Sequence, residues 1–462
     1  MEERLYKKHD IEFFELFNNF YVFIANEQIA VSVKKETLEK LVKLKTAKNI
    51  SLNSLKCSND KSYSFINKLF ENSLIQKHNT IKAPDFLYNS NMLSLVHTQR
   101  CNLNCRYCFA HDKSDKFDMS IETAKNAIDF FIKDFAPKNN YYSIDLTGAG
   151  EPLVNKKFII AIVEYIKKLR DEGYNIFPAF ITNGMLLDDE WGKIILENKI
   201  SWAISLDGDK KHQEMIRKGS DYDKIIQNYL KLKNSTKWLH YGIRCTYSSE
   251  NYAFVDIFES IYKVAFGFPI TINPARTRPN DFGDFSEEKV DDLLQEYDKF
   301  CLYLLKLSLN LDLGRINSYF SGESYFRKFI GSILNKSKTI YRCSAGIQNI
   351  AINNEGNIFI CTSMTGENEA LLGNIHTGIN LEKQNYIKKI YADNIPTCSI
   401  CWARYNCAGS CMAESLYRTG KFGSVLPIKC KINKHLIKLA IFYCHQLYTK
   451  KPDILQYIQE KH

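Results

Sequence analysis

The chain has no uninterrupted run of about eighteen apolar residues, so it offers no membrane-spanning helix of ordinary length. Its first residues, MEERLYKKHD, lack the apolar stretch of a secretory signal. A cytoplasmic location with no membrane partner is expected. Dense basic blocks with interleaved aromatics are also missing, although the formal net charge is +10. The lysines are spread through amphipathic segments such as Lys156 to Asp171, where a solvated surface accounts for them, and no nucleic-acid partner is expected. Nor is there an obvious His–carboxylate catalytic unit.

What is present fits a large globular enzyme. At roughly 150 residues per domain, 462 residues make about three domains. A hydrophobic content of 45% excludes a disordered chain. Of the fourteen cysteines, ten fall into three spaced groups. In a reducing compartment such grouping points to metal rather than to disulfides.

The first group is Cys101-Asn-Leu-Asn-Cys105-Arg-Tyr-Cys108. Three thiolates in one loop can wrap one corner of a cubane cluster, and soft sulfur selects iron–sulfur or zinc over hard cations. A structural zinc loop would need a fourth local ligand, and His97 or His111 would have to serve. The triplet resembles the signature of the radical S-adenosylmethionine (radical SAM) enzymes. That resemblance implies a [4Fe–4S] cluster on Cys101, Cys105 and Cys108 whose fourth iron is chelated by the amino and carboxylate groups of SAM.

After residue 90, short apolar runs alternate with helical periodicity. The strand-like runs are Met92–Thr98, Tyr142–Thr147, Asn175–Thr182, Ser201–Leu206, Tyr241–Tyr247 and Pro269–Pro274. Helices are expected at Ser120–Phe135, Lys156–Arg170, Asp188–Glu197 and Asp223–Leu232. This alternation implies parallel βαβ units with the chemistry at the carboxyl ends of the strands. The fold class expected is α/β, a partial (β/α)6 TIM barrel, as the radical SAM resemblance also implies.

Further strand ends resemble SAM-contacting motifs. Gly148-Ala149-Gly150-Glu151-Pro152 is similar to the family's GGEP motif, with Ala149 at the first glycine. Glycine there permits close backbone approach, although an ordinary strand-to-helix turn has the same composition. Ile181-Thr182-Asn183-Gly184 and Ser205-Leu206-Asp207-Gly208 hold matching places after the third and fourth strands, and each is equally readable as a turn. Arg244 on the fifth strand could pair with the SAM carboxylate or make a structural ion pair. The cofactor-binding set implied by the resemblance is Tyr107, Gly148, Ala149, Gly150, Glu151, Pro152, Asn183, Ser205, Asp207 and Arg244.

Near the carboxyl terminus, Cys343 precedes Gly356-Asn-Ile-Phe-Ile-Cys361, followed by Cys398-x2-Cys401-x5-Cys407-x3-Cys411 and Cys430. A zinc ribbon could use Cys398, Cys401, Cys407 and Cys411. The pattern resembles the SPASM domain, which carries two auxiliary iron–sulfur clusters in some radical SAM enzymes. By that resemblance Cys398, Cys401, Cys407 and Cys430 hold one cluster, while Cys343, Cys361 and Cys411 hold the other. This second set lacks one thiolate, since no cysteine occurs from Ser344 to Ile360. Either a substrate cysteine completes it, or Cys444, Cys301 or Cys245 does.

Ahead of the barrel, Ile11–Phe17, Tyr21–Ala25 and Ile29–Val33 read as strands, with helices at Lys35–Leu44 and Tyr63–Glu71. A small sheet followed by helices resembles the winged-helix-like RiPP recognition element, which binds leader peptides of ribosomally made natural products as an added strand. A purely structural cap over the barrel is the alternative. The expected organisation is 1–85 recognition element, 90–300 radical SAM barrel, 301–342 bridge, 343–445 SPASM domain and 446–462 tail.

These resemblances together imply a radical SAM/SPASM peptide maturase of the sactipeptide or ranthipeptide type. Its cofactors would be SAM and three [4Fe–4S] clusters, and its partners a leader-bearing precursor peptide and an electron donor such as flavodoxin or ferredoxin. The implied reaction cleaves SAM to a deoxyadenosyl radical, takes hydrogen from a peptide carbon and joins that carbon to a cysteine sulfur. A carbon–carbon or carbon–oxygen cross-linking enzyme shares every motif. An anaerobic sulfatase-maturating enzyme shares the barrel and the SPASM domain, and a non-catalytic iron–sulfur peptide-binding protein would leave the intact triplet unexplained.

Overall fold

The computed structural model describes residues 10–46, 91–110, 117–137 and 141–461. The helix expected at Tyr63–Glu71 lies outside the described residues, as does His111.

At the amino end, β1 (Ile11–Leu16), β2 (Asn19–Ile24) and β3 (Ile29–Val33) form an antiparallel meander, followed by α1 (Lys35–Thr46). Phe17 and Asn18 both have positive φ, 47° and 58°, so the β1–β2 link is the tight hairpin turn whose twist matches its strands. One face of the meander is apolar. Its Phe17 and Phe23 rings meet Phe442 and Trp402 edge-on, at 4.9 and 6.0 Å between centroids.

The six strands read from the sequence form in order: β4 (Asn91–Leu95), β5 (Tyr142–Asp145), β6 (Ile176–Thr182), β7 (Ser201–Ser205), β8 (His240–Tyr247) and β9 (Ile270–Pro274). All pair in parallel, in the order β9-β8-β7-β6-β5-β4. Parallel pairing demands crossovers, and α2 (Ile121–Phe130), α3 (Lys156–Asp171), α4 (Asp189–Asn198), α5 (Tyr222–Lys233) and α6 (Phe254–Ala265) lie in them. The helix expected to Phe135 ends as a π-helical turn over Phe131–Phe135. Each crossover helix is amphipathic for a visible reason. In α3, Asn155 caps the first turn through Phe158 N–H, and Phe158, Ile162, Val163 and Ile166 recur on the buried face.

The barrel stays open. Beside β4 the next strand is β10 (Asn349–Ile352), parallel to it, followed by the antiparallel strands β11 (Asn357–Phe359), β12 (Leu371–Asn374) and β13 (Gly378–Ile379). The cysteine-rich segment thus continues the barrel sheet to ten strands. The long helices α7 (Glu287–Leu309) and α10 (Pro427–Lys450) pack on each other, with α8 (Leu313–Phe320) and α9 (Tyr325–Leu334) between them in sequence. Cys301, Leu304, Leu439 and Tyr443 are buried in that packing. Among the described residues no helix is long and apolar enough to cross a membrane.

Candidate functional site

The cysteine triplet sits at the carboxyl end of β4. Thr98 Oγ1 and Arg100 Nε both donate to Asp118 Oδ1, at 2.7 and 3.1 Å, and fix where the loop leaves the strand. Asn104 and Cys105 then pair with Lys218 and Arg217, and Cys108 N–H closes a turn onto Cys105 C=O at 3.0 Å. Leu103 N–H points at Cys101 Sγ, 3.5 Å away. Burial pushes the Cys105 thiol up to about 11, opposed by the Arg217 guanidinium, and Cys101 and Cys108 each add to the rise. The three sulfurs therefore share one neighbourhood.

Gly150 explains how the second motif reaches the first. A Cβ there would come 2.3 Å from Arg100 C=O, because the cysteine loop passes directly over the Gly148–Pro152 turn and Glu151 N–H donates to that same carbonyl at 2.9 Å. Ala149 is buried and Pro152 opens a short 3-10 turn. Glu151 does not face the barrel interior. Its carboxylate accepts from Thr182 Oγ1 (2.6 Å), Asn183 N–H (2.8 Å) and Leu153 N–H (3.2 Å), and burial still raises its pKa to about 7. Asn183 Nδ2 in turn donates to Asn102 Oδ1 at 2.8 Å, so the third strand end is tied to the cysteine loop.

Asp207 is likewise taken up by the chain. Arg217 donates to both its oxygens (2.7 and 3.1 Å), Tyr107 O–H to Oδ2 (2.6 Å) and Thr246 N–H to Oδ1 (2.9 Å). Ser205 ends β7 beside Arg244 of β8, and Arg244 Nη2 donates to Glu323 Oε2 at 3.0 Å. Of the residues expected to contact SAM, Gly148 and Arg244 line the main cavity. Tyr107, Glu151, Asn183 and Asp207 brace the loops that surround it.

That cavity, about 750 Å³, runs from Thr147 and Gly148, beyond the end of β5, and Arg244 within β8 to Cys343, Cys361 and Cys411. Among the walls that sequence reasoning did not name are Ser94, Asp145, Thr271 and Arg276. For Ser94, Asp145 and Arg276 a place at or just beyond a strand's carboxyl end was the available signal; Thr271, near the start of β9, had none. Arg276 Nη1 donates to Ser363 Oγ at 2.6 Å, and burial of its guanidinium is opposed by Cys411, Cys361 and Cys343, whose sulfurs favour the cation when they are thiolates. Cys245, Cys301 and Cys444 do not line this cavity. Cys301 and Cys444 lie in the helical packing, with Sγ near Leu439 C=O and Ile330 C=O. Cys245 is buried on β8.

A second cavity of about 280 Å³ is lined by Cys398, Cys401, Cys407 and Cys430. Burial raises the pKa of Cys101, Cys105, Cys343, Cys361, Cys398, Cys401 and Cys430, so these thiols resist ionising by themselves. Bound iron supplies the positive charge that lets such sulfurs bind as thiolates, and the donor sets and cavities fit iron–sulfur groups in this respect. Among the described residues no three His, Cys, Asp or Glu side chains converge tightly enough to hold a single ion as they stand.

The model of the Radical SAM superfamily matches residues 95–246, which run from the end of β4 through the triplet to β8. The chain carries a radical SAM domain. Such a domain implies SAM and an iron–sulfur cluster as its ligands. Protein MJ0907 of Methanocaldococcus jannaschii, itself uncharacterised, is 36% identical over 180 residues, 38% of this chain and 59% of that protein. The radical SAM cyclopropyl synthase TigE of Paramaledivibacter caminithermalis is 26% identical over 377 residues, 76% of this chain and 73% of TigE. The chain thus spans less than two thirds of the first relative and more of the second. Among solved structures, anSMEcpe with bound AdoMet superposes with a TM-score of 0.64 at 21% identity, over 81% of this chain and 98% of that one. At that identity the likeness is one of fold.

Proposed function

We propose that this protein is a peptide maturase that couples radical chemistry at the barrel to a cysteine sulfur of a ribosomally made precursor, forming a thioether bridge. The observation that carries this reading is the single cavity joining Gly148, beyond the end of β5, and Arg244 of β8 to Cys343, Cys361 and Cys411. Bound at the Cys101 loop, SAM and its [4Fe–4S] cluster would supply a hydrogen-abstracting radical and so need no protein base. The chain's own residues do the holding. Cys101, Cys105 and Cys108 would ligate that cluster. The Gly150 turn seats the loop, and Asp207, Arg217 and Tyr107 lock it from below.

Cys398, Cys401, Cys407 and Cys430 would hold one auxiliary cluster. Cys343, Cys361 and Cys411 would hold another with one iron open to a substrate thiolate, a fitting soft donor. Residues 343–445 act in this reading as a SPASM domain. The amino-terminal meander takes the leader as an added strand, and a flavodoxin or ferredoxin supplies electrons. Likeness to a cyclopropyl synthase over 76% of the chain favours a second reading, carbon–carbon bond formation on a peptide.

One experiment separates the two. Reconstituted protein, SAM, reductant and a cysteine-bearing precursor are combined anaerobically, and deoxyadenosine, peptide mass and free thiol are measured. Thioether formation removes about two daltons and one thiol per bridge. The same mass loss with all thiols retained removes the thioether reading, and carbon–carbon bonding is then told from a carbon–oxygen link by whether a hydroxyl is consumed; no deoxyadenosine removes both readings.

A further inference from the structure

Between the two auxiliary cysteine sets lies a hydrogen-bonded chain that neither motif contains. Asn433, on α10 and 2% exposed, donates Nδ2–H to Cys407 Sγ at 3.1 Å. Its Oδ1 accepts from Tyr325 O–H at 2.6 Å. Tyr325 O–H accepts in turn from Arg342 Nη2 at 2.7 Å, and Arg342 Nη1 donates to Cys407 C=O at 3.3 Å. Arg342 precedes Cys343 in sequence, and its guanidinium interacts electrostatically with Cys343 and Cys411 of one set and with Cys407 of the other. Arg342 thus faces both sets, as does the Lys328 ammonium that donates to its carbonyl at 3.4 Å, while one amide touches a sulfur of only one.

Reduction potentials of iron–sulfur clusters respond to net charge and to hydrogen bonds on their sulfurs, because both stabilise the more negative reduced state. We propose that Arg342, Tyr325 and Asn433 form an electrostatic bridge that raises the potentials of both auxiliary clusters, Arg342 acting on both and Asn433 only on the cluster bound through Cys407. The bridge rests on the reading that both sets hold [4Fe–4S] clusters. Each reduction adds one electron, supplied by dithionite through a mediator dye, and involves no bond making.

The test is a redox titration followed by electron paramagnetic resonance, in full-length protein carrying Cys101→Ala, Cys105→Ala and Cys108→Ala, so that only auxiliary signals remain. Arg342→Gln is expected to disfavour reduction of both clusters about tenfold, equivalent to 59 mV in each one-electron potential. Asn433→Leu should shift one signal and leave the other in place, and Arg342→Lys, which keeps the charge, should restore most of the loss. Unchanged potentials in Arg342→Gln and Asn433→Leu, with full auxiliary iron, overturn the bridge. So does an Asn433→Leu shift of equal size in both signals. If Arg342→Gln loses iron, Asn433→Leu and Arg342→Lys decide by the same criteria. Failure of the underlying reading looks different, since the starting protein would then hold far fewer than about eight irons.

Discussion

Arg404 Nη2 lies 2.7 Å from Asp10 Oδ1, and both side chains are almost fully buried. The same guanidinium donates to Asn26 Oδ1 at 2.7 Å and to Cys401 C=O at 3.0 Å. One arginine therefore ties the start and the β2–β3 turn of the amino-terminal meander to the loop that carries Cys398, Cys401 and Cys407. Nearby, Asn406 Nδ2 donates to Gln28 Oε1 at 2.6 Å. Leader binding at the meander, as proposed, would take place on a platform fixed to an auxiliary cysteine loop.

Removing one member of a buried ion pair strands the other. Arg404→Met is therefore expected to destabilise the protein by about 3–5 kcal/mol, with early proteolysis within residues 10–46. The double variant Asp10→Asn/Arg404→Met should recover part of that loss, since the buried Asp10 charge is gone and only the more exposed Asp393, 3.5 Å from Arg404, is deprived of the guanidinium. Urea denaturation of the three proteins measures this. A double variant no more stable than Arg404→Met would mean that the stranded carboxylate is not the source of the loss.

Replacing Cys101, Cys105 and Cys108 together with Ala should remove about one third of the bound iron and all reductive SAM cleavage. The other two cysteine sets occupy separate cavities and should keep their iron. Iron analysis and deoxyadenosine assay decide it, and residual cleavage in the triple variant would disprove the assignment.

Gly150→Ala tests the crossing of the two motifs. The added methyl meets the Arg100 carbonyl at 2.3 Å, and backbone cannot swing aside as a side chain does. A cost of about 1–3 kcal/mol is expected, together with a marked loss of SAM cleavage at unchanged auxiliary iron content. Gly173→Ala serves as the control, since a Cβ there meets nothing within 4 Å, and its positive φ makes any stability loss one of backbone strain alone.

The six barrel strands were legible to within about three residues because each carries buried apolar residues and reads as a short apolar run between turn residues. The amino-terminal strands were legible by the same rule. What escaped was nonlocal. Asn349–Ile352 is too short to announce that it joins β4, yet that pairing carries the cysteine-rich segment onto the barrel. Arg217 belongs to no motif, yet it is the buried partner of Asp207. The cysteine spacing pointed to three metal sets but held no record of Arg276, Arg342 or Asn433. Asn433 and Arg276 act from 26 to 135 residues away from the cysteines they face, and Arg342, although next to Cys343, also reaches Cys407 and Cys411 further along the chain.

The pH dependence of stability should carry the signature of Glu151. Burial outweighs three donated hydrogen bonds and raises its pKa from 4.5 to about 7. Between those values the folded state binds more protons than the unfolded chain, so stability falls as pH rises through this window. The full effect, about 3 kcal/mol, is reached above pH 7. Urea titrations of the metal-free protein from about pH 4.5 to 8 should show that decline, and Glu151→Gln should lack this component. Its amide nitrogen would also face either Leu153 N–H or Asn183 N–H, which only donate, so Glu151→Gln should be less stable than the parent at low pH and should approach it at high pH. Parallel pH profiles for the two proteins would rule out a raised Glu151 pKa.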